Sequence, residues 1–192
     1  MTDRQQTYGQ RNPGIPGRDE LPGLLQDCLA GRRSAQKTLY EAYAPFVLGI
    51  IKRYLYNQAG ADEILNDAFF RIFTRIDQYA FKGSFEGWMR KIVINLVTDH
   101  LRQNIKHERI IHDKVEEYNV YVDDSVSKLS YKELLALIHQ LPDTQKAVFN
   151  LYVFEDCSHK EIGEYLSITE NNSRWYLNDA RKRLKEKINN NM

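Results

Sequence analysis

Asn171, Arg174, Trp175, Asn178 and Lys182 recur at helical spacing and share one side of a helix. Its other side carries Ser173, Leu177, Ala180, Leu184 and Ile188. Asparagine amides and a guanidinium at the start of a helix suit readout of base edges in a DNA groove. There Asn pairs with adenine and Arg with guanine. Asn172 belongs to the same cluster, and Arg181, Lys182 and Arg183 are placed to neutralise backbone phosphates. Between Arg174 and Lys187 stand six basic residues against two acidic ones, so positive charge gathers at this end of a chain whose net charge is only +1. A plain solvated face is the alternative, although such a face needs no tryptophan.

A second face of the same kind lies earlier. Met89, Ile92, Val93, Leu96 and Val97 form an apolar stripe. Lys91, Asn95, Thr98 and Arg102 fall opposite, with Trp88 at the edge. Just before it runs Tyr79-Ala-Phe-Lys-Gly-Ser-Phe85, where aromatics flank Lys82 in a glycine-containing loop. Such a loop can stack on unpaired bases. Equally, Phe81, Phe85 and Trp88 can plug the end of a helical bundle. A third face is apolar where it should be polar. Ile64, Leu65, Ala68, Phe69, Ile72, Phe73 and Ile76 make a core stripe, yet Phe70 points away beside Glu63, Asn66 and Asp67. An aromatic ringed by polar groups is either an ordinary exposed residue or the centre of a protein contact.

Catalytic chemistry has no footing here. The sequence has no glycine-rich phosphate loop, no nucleophile with a paired base and no cofactor motif. Cys157-x-His159 is half a metal site without a second pair of ligands, and His107 and His112 would not share a helix face. With Cys28 and Cys157 far apart, a disulfide framework is not expected, and both cysteines are read as reduced. An export signal and a run of 18 apolar residues are both missing, so neither secretion nor membrane insertion is expected.

The elements that must position these faces are all helical. Residues 1–20 are polar and rich in Gly and Pro, the composition of a disordered leader. Over 21–105 the helical period dominates. Ser34 can cap a helix from Ala35, Pro45 suits the first turn of the next, a third covers about 61–77, and Ser84 can cap a fourth ending near Gln103. The apolar run Phe46 to Tyr56 is expected in the core. Residues 106–129 lose the period, carry Asp123 and Asp124, and read as a flexible linker. The block 130–192 restarts at Ser130, and Asp143 can cap after Pro142. Ser158 to Glu161 is a capping box opening a short helix to Leu166. After a turn at 167–169 a long helix runs from Glu170 to about Ile188. A short helix, a tight turn and a basic second helix describe a helix-turn-helix. The expected fold is all-α, with two small helical domains joined by the linker.

In this order the features resemble the sigma-70 family, in particular its compact extracytoplasmic-function (ECF) branch, over roughly residues 24–188. Ala61-Asp-Glu-Ile-Leu-Asn-Asp-Ala-Phe-Phe-Arg-Ile-Phe73 resembles the region 2 helix that docks on the β′ clamp helices of RNA polymerase. This implies polymerase contacts by Asn66, Asp67, Phe70 and Arg71. Phe85-Glu-Gly-Trp-Met-Arg-Lys-Ile-Val-Ile-Asn95 and Asp99-His-Leu-Arg102 resemble the element that reads and melts −10 DNA, implying roles for Lys82, Trp88, Lys91, Asn95, Asp99 and Arg102. The second block resembles region 4, opened by Leu141-Pro142. Glu161-Ile-Gly-Glu-Tyr-Leu166 and Ala180-Arg-Lys-Arg-Leu184 frame its helix-turn-helix. For −35 DNA this implies Asn171, Asn172, Arg174, Trp175, Asn178, Arg181, Lys182 and Arg183. Ser173, Trp175 and Tyr176 depart from the usual pattern, which bears on base preference. The resemblance further implies core RNA polymerase (β′ clamp helices and β flap) and promoter DNA as partners, a cytoplasmic site of action, and scope for an anti-sigma factor. Two other readings stay open: a helix-turn-helix regulator acting without replacing a sigma factor, and a helical protein-binding adaptor.

Overall fold

In the computed structural model, which describes residues 15–17, 19–55, 58–105 and 130–190, every regular element is helical. The linker expected at 106–129, and most of the expected leader, lie outside the described residues. Among the described residues eight α-helices follow in order: α1 Leu21–Leu29, α2 Arg33–Tyr54, α3 Gln58–Arg75, α4 Phe85–Ile105, α5 Tyr131–His139, α6 Asp143–Val153, α7 His159–Leu166 and α8 Glu170–Asn190. A 3-10 turn, Ile76–Gln78, follows α3.

Local chemistry explains most boundaries. Ser130 and Ser158 each accept the backbone N–H three residues on, and Glu133 and Glu161 reach back to the cap N–H. These are two complete capping boxes. Ser84 accepts from the Gly87 N–H at 3.1 Å. Three expectations fail. The helix break at Pro45 does not occur, because α2 continues through it. Proline removes one hydrogen bond, but Ala42, Tyr43, Val47, Ile50 and Ile51 are buried on both sides of it, and their packing holds one helix. Ser34 lies inside α2, whose cap position is Arg32. Asp143 is likewise the first helical residue after Pro142, and its carboxylate pairs with Lys146 at 2.8 Å.

The first four helices pack around Leu39, Tyr43, Ile50, Ile72, Met89 and Val93, all buried. A smaller cluster of Leu137, Ile138, Leu141, Ala180, Leu184 and Ile188 joins α5 to α8. Between them the main core is continuous. Val148 and Leu151 of α6, Ile162 and Leu166 of α7, and Tyr176 and Leu177 of α8 belong to the same buried cluster as the first four helices. Helix α4 packs on α6 and α7, and α2 on α5 and α6. One residue departs from the face that its helical spacing gives it. Thr98, assigned to the outward face of α4, is 0% exposed and donates to the Ile94 carbonyl at 2.8 Å.

The helix-turn-helix is set by backbone detail. Ser167 adopts a left-handed conformation with φ 56°, and the Ile168 N–H bonds the Gly163 carbonyl at 3.1 Å. A Cβ on Gly163 would lie 2.8 Å from the Ile168 oxygen, so this close approach of chain to chain requires glycine.

Candidate nucleic-acid interface

Three presented surfaces emerge when each candidate residue is placed. On α3 the buried stripe is Ile64, Leu65, Ala68, Phe69 and Ile72, with Tyr40 and Phe69 ring centres 4.4 Å apart. That packing fixes the rotation of the helix and leaves Phe70 68% exposed. Asn66 and Asp67 are exposed beside it and Arg71 is half-buried. The result is one apolar ring in a polar setting on a rigid element.

The loop before α4 separates its aromatics into two roles. Tyr79 and Phe85 are buried, with ring centres 5.2 Å apart, and Phe85 meets Tyr43 at 5.4 Å. These two plug the bundle. The Tyr79 hydroxyl donates to the Gly83 carbonyl at 2.8 Å, tying the loop down. Trp88 is half-buried and stacks on Phe85 with an interplanar angle of 19°. Phe81 goes the other way. It is 57% exposed and holds φ 57°, a conformation that a bulky L-residue avoids at a cost of about 1–2 kcal/mol. From the sequence Phe81 is legible as a loop aromatic but not as one of the DNA-reading residues. The signal was the glycine two residues on: Gly83 at φ 89° completes a turn that pushes Phe81 outward.

Along α4, Lys91, Asn95 and Asp99 are exposed in a row. Arg102 is half-buried and ion-paired to Asp99, so its charge is partly spent within the helix. Lys82 is exposed on the loop. Together, Phe81, Lys82, Trp88, Lys91 and Asn95 offer a ring to stack on, two cations for phosphate and an amide for a base edge.

On α8, Ser173, Leu177, Ala180, Leu184 and Ile188 are buried, as the period requires, and Tyr176 is buried with them. His159, at the start of α7, is 2.9 Å from the Ser173 hydroxyl through Nδ1 and stacks on Tyr152. Burial, with Arg174 and Arg181 nearby, pushes its pKa below the ordinary 6.5, against a smaller opposing pull from Glu170. Half of the supposed Cys157–His159 metal pair is thus engaged in packing. Burial first, then neighbouring acids, push the Cys28 and Cys157 thiols up to about 11, which disfavours the thiolate.

The outer side of α8 starts with exposed Asn171 and half-buried Asn172, whose backbone N–H is held by the Thr169 hydroxyl at 3.1 Å. Arg174 is paired with Glu170 at 2.7 Å. Trp175 is half-buried, edge-on to Tyr176 at 5.2 Å. Asn178 is half-buried, and Arg181 lies over the Tyr152 ring at 5.4 Å. Lys182 and Arg183 are exposed, Arg183 paired with Asp179 at 2.7 Å. Arg174 and Arg183 are therefore each paired with a carboxylate one turn earlier in their own helix. Among the described residues no helix is long and apolar enough to cross a membrane.

Sigma-70 region 2 matches residues 39–106, and Sigma-70 region 4 matches residues 131–184. Among similar proteins, the ECF RNA polymerase sigma factor SigE of Mycolicibacterium smegmatis is 25% identical over 180 residues, 88% of this chain and 68% of that protein. The ECF RNA polymerase sigma factor SigM of Bacillus subtilis is 24% identical over 153 residues, 79% of this chain and 93% of that protein. Among solved structures, CnrH in complex with the cytosolic domain of CnrY superposes with a TM-score of 0.46 at 14% identity, over 88% of this chain and 97% of that one.

Proposed function

Because the chain belongs to the sigma-70 family, in its ECF branch, we propose that it binds core RNA polymerase, directs it to promoters through −35 and −10 elements, and assists strand opening. The observation that carries this reading is the division of labour at the start of α4. Buried Tyr79 and Phe85 hold a loop that exposes Phe81 and Lys82 just before a helix that carries half-buried Trp88 at its start and exposed Lys91 and Asn95 along its length. A regulator that binds duplex DNA has no need of a stacking ring beside a helix. A factor that melts DNA does, because each lost stacking step costs roughly 1.4 kcal/mol and must be compensated by capture of the freed base. In this reading Phe81 and Trp88 stack on an unpaired base, Asn95 bonds its edge, and Lys82 and Lys91 hold the strand. Asp99 and Arg102 extend the same face. On the other domain Asn171, Asn172, Arg174, Trp175 and Asn178 read the −35 groove, and Arg181, Lys182 and Arg183 meet its phosphates. Asn66, Asp67, Phe70 and Arg71 dock on the β′ clamp helices. The β flap as a contact of region 4, an anti-sigma partner and cytoplasmic action belong to the same proposal.

The strand-opening part is tested with Asn95→Ala and Lys91→Ala proteins assembled on core polymerase. Both should bind core normally and fail on duplex promoters, while a template pre-melted across the −10 region restores most of the activity. Normal core binding without rescue by the bubble would contradict the melting role. Loss of core binding would assign this face to the polymerase instead.

A further inference from the structure

The start of α8 is held differently from the rest of the helix. Its aliphatic anchors, Leu177, Ala180, Leu184 and Ile188, are buried along the back, with Tyr176 beside them. Ahead of them, over 170–175, the one buried residue is Ser173, at 0% exposure. This is the stretch that carries Asn171, Asn172 and Arg174. A serine offers little apolar surface to anchor a helix, and its buried hydroxyl needs a partner. That partner is Nδ1 of His159 on α7, 2.9 Å away. The same ring stacks on Tyr152 of α6, with ring centres 4.9 Å apart and planes at 25°. One imidazole therefore ties the front of α8 to α6 and α7.

Ser173 lies on the far side of the helix from the reading face. At about 100° per residue, Asn171, Arg174, Trp175 and Asn178 gather around one direction and Ser173 points roughly 180° from it. The turn before α8 fixes where the helix begins, with Ser167 left-handed and the Ile168 N–H bonded to the Gly163 carbonyl. From Tyr176 onward the buried stripe fixes the roll of the helix about its axis. At the front, the roll is left to the Ser173–His159 bond. Reading atoms stand about 5–6 Å from the axis, so a roll of about 20° moves them by about 2 Å. A hydrogen bond to a base edge works over about 2.7–3.2 Å and does not survive such a shift.

We propose that His159 is a positioning residue for −35 readout: through Ser173 it sets the roll of the first turn of α8, and with it the base preference of Asn171 and Arg174. This rests on the −35 role given to α8 above. Hold on the DNA backbone is a separate matter. Arg181, Lys182 and Arg183 lie beyond the first aliphatic anchor, Leu177. Phosphate contacts by such long side chains fix affinity and register, whereas base contacts specify sequence. Loss of the His159–Ser173 bond therefore relaxes sequence preference while leaving the salt-dependent part of binding in place.

The test assembles holoenzyme from core polymerase and the full chain, selects bound duplexes from a random-sequence library and sequences them. Three variants separate the bond from the ring. Ser173→Ala removes the hydroxyl. His159→Phe keeps a ring for Tyr152 but loses the bond. His159→Asn keeps a polar group where Nδ1 stands but loses the ring. Wild type should enrich an upstream element whose bases are each favoured about tenfold or more. In Ser173→Ala and His159→Phe that preference should fall roughly tenfold at the positions that Arg174→Ala also affects. The downstream element and the salt slope should not change, and Ser173→Ala should melt close to wild type because alanine favours the helix. His159→Asn should keep the upstream preference. Should Ser173→Ala not fold, the contrast between His159→Phe and His159→Asn decides. Unchanged upstream preference in the folded bond-deleting variants would overturn the proposal. Loss of preference in His159→Asn would overturn it as well and give the role to the stack on Tyr152. A salt slope lower by about 1 in His159→Phe, with preference kept, would make His159 a phosphate contact instead. Equal loss at both elements with a large fall in Tm would leave His159 a structural role only. A wild-type holoenzyme that enriches a downstream element but no upstream one would refute the −35 reading itself, and this proposal with it.

Discussion

Phe70→Ala separates the polymerase contact from the fold. A phenylalanine side chain offers about 200 Å², and at 68% exposure roughly 140 Å² of Phe70 is free to be covered by a partner. At ~25 cal/mol per Å², full coverage is worth at most about 3.5 kcal/mol. Alanine keeps the Cβ, so the expected loss is about 2–3 kcal/mol, or roughly 30- to 150-fold in Kd for core polymerase. The cost to folding is much smaller. The covered third of the ring contributes about 1.5 kcal/mol at most, and the better helix propensity of alanine returns up to about 0.5 kcal/mol. A net change near 1 kcal/mol moves Tm by about 2–4 °C in a chain of this size. Titration of fluorescently labelled chain with core polymerase gives the first quantity and calorimetry the second. An unchanged Kd would refute the docking role of this face. A fall in Tm beyond 10 °C would show that Phe70 supports the core.

Three further outcomes follow from the site geometry. Arg174→Ala should cost about 1–3 kcal/mol at the −35 element and relax preference at one base position, whereas Arg183→Ala should weaken all sequences alike and reduce the salt slope by about 1; binding titrations of holoenzyme across promoter variants and salt concentrations distinguish them. Gly163→Ala forces a Cβ to within 2.8 Å of the Ile168 oxygen, so thermal melts should show a loss of about 1–3 kcal/mol and weakened −35 binding. Acid should loosen the second block. Burial is the main cause that depresses His139, with Lys146 adding to it against the Lys52 backbone, and it is also the main cause for His159. For groups depressed below 6.5 in the folded state, the unfolded chain binds protons more readily. Their stabilisation is thus present above about pH 6.5 and lost as pH falls through the folded-state values. Denaturant melts between pH 7.5 and 5 should show this decline, and His159→Gln should flatten it.

The sequence made much of this arrangement readable, for identifiable reasons. Capping boxes are local, so Ser130 and Ser158 announced α5 and α7. The apolar period fixed the rotation of α3, which is why Phe70 could be placed outside. Pro45 misled because local rules describe an isolated helix, and burial on both sides of the proline overrode them. Thr98 misled for a related reason. A helix wheel distinguishes one buried face from one wet face, but α4 is buried on two, and the second is supplied by residues more than forty positions later. Ile94 was the available clue, an apolar residue off the stripe and now 3% exposed. The ion pairs of Glu155 with Arg53 of α2 and Arg90 of α4 could not be read at all, since the partners lie 102 and 65 residues away. Phe81 was half legible: the loop's aromatics were apparent, but only the backbone decides which ring plugs and which is shown.

Whether this chain gives promoter specificity to RNA polymerase is decided by run-off transcription from fragments of the source genome, with purified core polymerase in the presence and absence of the chain. Discrete transcripts should appear only when the chain is added, each starting downstream of a shared pair of elements, and Asn95→Ala should abolish them on duplex templates. Transcripts identical with and without the chain, together with tight binding of the chain alone to a palindromic duplex, would contradict the account and identify a helix-turn-helix regulator.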